Sequence, residues 1–189
     1  RRHTRYPLVT GVQTCALPIF YEQPLEALVE RGTSDVASTI ERMQRNAALF
    51  ADIDLQAYAA SKLRALVRFA RHFEQGKASS LYVAAKLPNL PFADGHFDLA
   101  LSAHLLFTYS DPASGGLLPD SPFTLDWHLA AVDELLRVTR EEVRLYPTTT
   151  RWTTPCRHPY AEAIERACTL RGLRAHYEPS AFEIGRAHV

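Results

Sequence analysis

The sequence predicts an α/β domain built on an incomplete, doubly wound parallel sheet, and three observations predict it. FDLALSAHLLF (97–107) is a nearly continuous apolar run set off by the turn-forming ADGH, the pattern of a strand buried on both faces of a parallel sheet. DWHLAAVDELLRVTR (126–140) follows with helical spacing through Leu129, Val132, Leu135 and Leu136, and EEVRLYP (141–147) reads as the next strand. PYAEAIERACTLRGL (159–173) repeats the helix pattern up to Gly172, and LRAHYEPSAF (173–182) reads as a last strand entering an unfinished hairpin. Strand and helix in strict alternation is the βαβ grammar.

Upstream, the chain reads as helical. In QPLEALVERG (23–32) and TSDVASTIERMQRNAALF (33–50), Leu25, Leu28 and Val29, then Val36, Ile40 and Met43, recur at three- and four-residue steps. Pro24 suits a first helical turn, Gly32 a stop, and Thr33 or Ser34 the cap of a second helix. A further helix is expected over 55–76, with Tyr58, Leu63, Leu66, Val67, Ala70 and Phe73 on one face. Its Lys62, Arg64, Arg68 and Arg71 read most simply as a solvated face. SSLYVAAKLPNLPF (79–92) begins as a short strand and breaks at Pro88, and YSDPASGGLLPDSPFT (109–124) has the composition of a loop.

Neither end behaves like the middle. The codons ACG TGT GCT CTT CCG ATC T encode TCALPI and the first base of Phe20, and their reverse complement is AGATCGGAAGAGCACACGT. With one leading G, that strand translates as Glu183, Ile184, Gly185, Arg186, Ala187, His188 and the start of Val189. The two ends thus encode one DNA on opposite strands, and that DNA resembles a sequencing-library adapter; RRHTR and YPL read as a primer and a short index ahead of it. The expected organisation is therefore an adapter-derived segment at 1–19, a truncated domain at 20–182 and a second adapter-derived segment at 183–189. A signal peptide needs a longer apolar core than Cys15–Phe20 supplies.

Three Lys/Arg residues fall in 1–19 and one in 183–189, with Glu183 the one acid there, so 17 basic and 20 acidic side chains remain between them. A mildly acidic segment without a basic, aromatic-interleaved stripe argues against a nucleic-acid partner. No run approaches the roughly 18 apolar residues of a membrane span, so no membrane partner is expected. Cys156 and Cys168 form no paired spacing, which places the chain by default in the reducing cytoplasm. About 160 residues are enough for one domain with a sizeable core.

LPNLPFADGHFDLALSAHLLFTY followed by DELLRVTREEVRLYP is similar to the second half of class I S-adenosylmethionine-dependent methyltransferases. In that family an LPF.D..FD segment leads into the fourth strand and an E..RV helix precedes the fifth; here these are Leu90–Asp98 and Glu134–Val138. The resemblance is close over 85–147 and looser over 20–84 and 148–182, with FYEQPLEAL resembling the stretch after the second strand. It implies a Rossmann-like sheet lacking its first strands, S-adenosylmethionine as cofactor and methyl transfer to a small-molecule acceptor.

The departure is at the cofactor end. The family holds its cofactor with a glycine-rich turn after the first strand and an acid closing the second. Here the only glycine before Gly32 is Gly11, and no G-x-G occurs anywhere. Such turns bring backbone N–H groups against the ligand at a helix N-terminus, which a side chain would obstruct. The chain as given is therefore expected to be inactive, with ALPIFY standing by accident where the second strand belongs.

Methyl transfer asks the protein mainly to position a nucleophile and exclude water, and in open α/β sheets the ligand lies beyond the carboxyl ends of the strands. By resemblance, Ala85, Lys86 and Leu87 occupy the adenine side, where the family's usual acid is missing, and Ser102 and Ala103 line the cofactor at the end of the fourth strand. His104 is the candidate for orienting a substrate or accepting a proton; the plainer alternative is a histidine satisfied by backbone at the sheet edge. Tyr109 and Asp111 are candidates for the rim. Asp94 and Asp98 read as turn and strand-start chemistry rather than a catalytic pair. His128, His158 and His176 show no ligand spacing with either cysteine, so no metal is expected; Ser114 lacks the G-x-S-x-G of a serine nucleophile. Two further readings stand beside the enzyme: a catalytically silent methyltransferase-like binding or scaffold module, and an unrelated doubly wound nucleotide-dependent oxidoreductase, against which the E..RV helix argues.

Overall fold

A computed structural model describes residues 23–78, 82–150 and 156–178. Residues 1–19 and 183–189, the ALPIFY stretch and residues 179–182 of the expected last strand lie outside them. The described chain falls into two compact units, one ending at Ala84 and one spanning Ala85–Glu178.

The first unit is a pair of helices, α1 (Leu25–Arg45) and α2 (Leu55–Ala78). The expected break at Gly32 does not occur: α1 runs through Gly32, Thr33 and Ser34, and the Thr33 hydroxyl donates to the Val29 carbonyl one turn back (2.8 Å). Gly32 is a contact point, since a Cβ there would lie 2.7 Å from Leu66 Cδ1 on α2. A side-chain methyl can move, and alanine gains about 1 kcal/mol of helix propensity over glycine. Gly32→Ala is therefore expected to change stability by less than about 1 kcal/mol in urea unfolding, and Gly32→Val, branched at Cβ, to lower it clearly.

Leu28 (1% exposed) and Phe73 (2%) form the heart of this unit, with Leu25, Phe69 and Tyr82 packed against them. The Tyr82 ring stands edge-on to Phe69 at 5.8 Å, and its hydroxyl is 2.8 Å from His72 Nδ1. The inward face of α2 is largely the expected one: Phe73 is buried and Tyr58, Leu66 and Ala70 are half-buried, but Leu63 and Val67 are 40% and 51% exposed and Phe69 packs inward as well. Phe69, one turn before Phe73, adds an aromatic ring to that face and buries more surface than Leu63 or Val67 would. Lys62, Arg64, Arg68 and Arg71 are exposed, as a solvated face should be.

The second unit is a β–α–β unit. Strand β1 (Phe97–Ala103) pairs in parallel with β2 (Thr139–Tyr146), and α3 (Leu125–Val138) connects them. The ladder runs from Phe97 opposite Thr139 to Ala103 opposite Tyr146, with an irregularity between Phe97 and Leu99. Thr124 caps α3 through its hydroxyl on the Trp127 N–H. Ala131, Val132, Leu135 and Val138 give α3 its buried face. A short antiparallel pair follows, β3 (Thr149–Thr150) with β4 (Cys156–Arg157), and then α4 (Pro159–Leu170), with Ala161 and Ile164 buried. Arg171 after α4 is ion-paired with Asp133 of α3.

Three expectations are corrected here. The apolar run continues to Phe107, but strand β1 ends at Ala103, the strand end to which the sequence assigns Ser102 and Ala103, and His104 (φ 57°) and Phe107 (φ 68°) turn the chain away in the left-handed conformation. The strand is not buried on both faces: Leu101 is 55% exposed, since the parallel sheet among the described residues has two strands. Residues 82–85 form no strand; strand order comes from cross-strand partners, and neither β1 nor β2 pairs with them. Residues 173–178 form no strand either, because the Tyr177 hydroxyl donates to the Ala161 carbonyl (2.9 Å) and its ring lies under the Arg157 guanidinium at 3.6 Å. The antiparallel pairing of β3 with β4 was not anticipated.

Candidate functional site at the carboxyl end of β1

The two motif halves in the sequence are physically one device. Glu134 and Arg137, the acid and base of E..RV, lie one turn apart on α3, and the carboxylate accepts from Arg137 Nε and Nη2 at 2.7 Å each. Arg137 also donates to the Phe92 carbonyl (2.8 Å), the Leu90 carbonyl (3.2 Å) and Asp94 Oδ1 (2.7 Å). Glu134 in turn accepts from the Leu90 N–H (2.7 Å). The LPF.D turn is thus clamped by the helix that precedes β2. The Arg137 hydrogen bond holds the Glu134 carboxyl below its ordinary range, and Glu134 and Asp94 keep the guanidinium protonated.

Gly95 continues the turn in the left-handed region (φ 58°) and donates to the Arg137 carbonyl at 2.8 Å. Asp98 then pairs with Arg140 at 2.5 Å. Asp94 and Asp98 are therefore ion-paired structural groups that aim β1, in keeping with their turn reading.

What the clamp aims is the end of β1. There Ser102 is buried, and among the described residues its Oγ has no hydrogen-bond partner. Ala103 and His104 are exposed. The His104 N–H donates to the Tyr146 carbonyl at 2.7 Å, extending the ladder by one bond, and its ring stands edge-on to Tyr146 at 5.3 Å. A left-handed residue without glycine's freedom is locally costly, and such residues collect at sites. Of the adenine-side candidates, Ala85 (8%) and Leu87 (2%) are buried in the second unit's core and Lys86 is exposed, its carbonyl closing a turn on the Asn89 N–H (2.9 Å). Tyr109 is exposed, and both Asp111 oxygens are engaged, with the Ala113 N–H (2.8 Å) and the Asp120 N–H (3.1 Å).

Below this end lies a buried polar cluster that spacing gave no reason to expect. His128 of α3 (0% exposed), His158 at the cap of α4 (1%) and Ser110 (0%) surround Phe107. His128 Nε2 accepts from the Phe107 N–H (3.0 Å), so its Nδ1 carries the proton and donates to the Thr124 carbonyl (2.8 Å). His158 Nδ1 accepts from the Tyr160 N–H (3.1 Å), so its Nε2–H donates to Ser110 Oγ (2.7 Å), and the Ser110 hydroxyl donates to the Phe107 carbonyl (2.9 Å). Every donor has an acceptor. The same assignment removes Ser110 and His158 as a nucleophile and base, because the imidazole nitrogen facing the hydroxyl is a donor. Burial pushes the pKa of both rings down, that of His158 to about 4, with the nearby His128 acting in the same direction.

The Ser110 turn is closed tightly by Gly116, where a Cβ would lie 2.0 Å from the Ser110 carbonyl oxygen. Backbone cannot yield as a side chain does. Gly116→Ala is expected to lower stability by at least the upper part of the about 1–3 kcal/mol range for overpacking, read as a fall in the urea midpoint; an unchanged midpoint would show that the Ser110 carbonyl does not confine residue 116. Ser114 Oγ, 2.8 Å from the Tyr160 hydroxyl, belongs to the same turn.

Among the described residues no three His, Cys, Asp or Glu side chains converge as a metal site, and no helix is long and apolar enough to cross a membrane. Compared with known proteins, residues 32–115 match a family model described as a methyltransferase domain. Members of that family generally use S-adenosylmethionine. No curated protein and no solved structure matches the chain. The match supports a methyltransferase-like domain, and the mixed helices and small parallel sheet are compatible with an α/β fold of that kind.

Proposed function

We propose that this chain is a piece of a cytoplasmic S-adenosylmethionine-dependent methyltransferase acting on a small-molecule acceptor, flanked by adapter-derived residues 1–19 and 183–189, and inactive as it stands. The observation that carries the reading is the clamp of Glu134 and Arg137 on Leu90–Asp94. It joins the two sequence elements of the resemblance into one structural part, and its LPF.D half lies inside the matched stretch.

The residues present fit the cofactor in part. The unpartnered Ser102 hydroxyl at the end of β1 is a buried polar atom that a ligand would satisfy. On this reading Ser102 and Ala103 line the cofactor, Ala85, Lys86 and Leu87 form its adenine side, and His104 orients the acceptor or takes its proton. The glycine-rich turn that would hold the rest of the cofactor has no counterpart in the sequence. The absence of an acid at 85–87 is the observation that favours the silent binding or scaffold module as a second reading.

Calorimetric titration with S-adenosylhomocysteine tests both. The chain as given is expected to show no saturable binding up to about 1 mM, an affinity of about −4 kcal/mol at best. A copy carrying a restored glycine-rich turn is expected to bind at micromolar concentration. Tight binding by the present chain would contradict its inactivity, and a restored copy that still fails to bind would favour the silent module.

A further inference from the structure

We propose that His128 and His158 form an acid-sensitive latch: while both rings are neutral they hold the 105–124 segment against α3 and α4, and protonation releases that segment while the helices persist. The geometry is specific. The one acceptor nitrogen of each ring faces a backbone N–H, that of Phe107 for His128 and that of Tyr160 for His158. A proton added to either nitrogen sets donor against donor with no room to turn away, since both rings are fully enclosed. Two such cations would also stack on one another, their ring centres being 6.2 Å apart. Phe107 between them is held in the left-handed conformation and has intrinsic reason to leave once its hydrogen bonds are lost.

Among the described residues no counter-charge relieves this. Around His128 stand Thr124, Trp127, Phe107, Tyr160 and His158; around His158 stand Ser110, Phe107, Tyr160 and His128. The charged neighbours along the chain are engaged elsewhere, Asp111 with the amides of Ala113 and Asp120 and Arg157 with Glu165. The apolar faces of α3 and α4, through Val132, Leu135, Ala161 and Ile164, do not titrate and keep the helices in place. Because the folded-state pKa of each ring lies below its ordinary value, the latch is closed above about pH 6.5 and opens as pH falls towards about 4. The segment begins at the carboxyl end of β1, so the latch governs what stands beside His104.

Trp127 reports on it, its indole lying edge-on to His128 at 5.3 Å. In a Trp152→Phe background Trp127 is the sole tryptophan. Its fluorescence is followed together with far-ultraviolet ellipticity from about pH 7.5 to 3.5. A fluorescence transition centred between about pH 4 and 6, with ellipticity retained, is the expected result. His128→Gln/His158→Asn, which keeps an acceptor near each N–H without a titrating group, is expected to abolish it. The proposal fails if the double variant keeps the same transition, or if ellipticity falls along with fluorescence, which is plain acid unfolding. Should the variant not fold, histidine proton titration of the unsubstituted chain decides: two rings with midpoints well below the ordinary value support the latch, and eight ordinary midpoints overturn it.

Discussion

Phe107→Ala is expected to destabilise the second unit by about 3–5 kcal/mol, the range for deleting a buried phenylalanine side chain. The ring is 2% exposed and lies between the imidazoles of His128 at 5.5 Å and His158 at 5.1 Å. Its loss leaves a cavity in the middle of a polar cluster, and the two histidines lose the surface that orders them. The backbone of the same residue donates to His128 and accepts from Ser110, so relaxation of the cavity would cost hydrogen bonds as well. Phe107→Gly removes the same ring but also the left-handed penalty, and is expected to be about 1 kcal/mol less harmful than alanine. Tyr109→Ala, at an exposed neighbour, is expected to stay within about 0.5 kcal/mol. Urea unfolding measures all three, and a Phe107→Ala loss below about 1 kcal/mol would show that the cluster does not hold the segment.

The second large effect is expected at the clamp. Glu134→Ala strands the Leu90 N–H and removes two of the Arg137 hydrogen bonds, a cost of about 1–3 kcal/mol for the unsatisfied amide alone. Arg137→Met frees the Phe92 and Leu90 carbonyls and Asp94, and is expected to lower the urea midpoint and open 88–96 to proteolysis. Because the two residues act on one turn, the double variant is expected to lose clearly less than the sum of the singles. Strict additivity would show that helix and turn are held independently. The sign with pH follows from the depressed Glu134 value: the clamp's contribution is present above the ordinary carboxylate range and is lost as pH falls through the lowered folded-state value.

Much of the second unit was legible because its signals are local. Leu129, Val132, Leu135 and Leu136 define α3, and Pro159 with Glu162 marks the start of α4. The β1–α3–β2 order follows from an apolar run, an amphipathic stretch and a second strand in sequence. What was misread depended on partners far along the chain. Gly32 looks like a stop, yet the reason for a glycine is Leu66 on the neighbouring helix. Residues 82–85 have strand composition but no strand to pair with among those described. Leu105 to Phe107 continue the apolar run of β1, yet the chain bends at His104 because the buried histidines hold Phe107 elsewhere.

The histidine cluster is the larger omission at the site. Its members are separated by 21 and 48 residues in their hydrogen-bonded pairs, and no spacing rule joins Ser110 to His158. One clue was available: His158 directly precedes Pro159 and the helix, the place of a capping side chain. The clamp was half visible, since both motif halves were read as a resemblance before their contact gave them a physical reason. For His104, Ser102 and the 85–87 turn the sequence supplied the positions, and the structure adds burial, a left-handed bend and an unpaired hydroxyl.

Resequencing the source DNA across both junctions, upstream of Tyr21 and downstream of Phe182, tests the proposed origin of the chain most directly. Reads that replace GVQTCALPI with a strand, a glycine-rich turn and a second strand ending in an acid are the predicted result, and they would make the clamped β1–α3–β2 unit the surviving half of a methyltransferase. Reads that carry GVQTCALPIF unbroken into Tyr21 as genomic sequence would contradict it and leave the silent binding module as the better description.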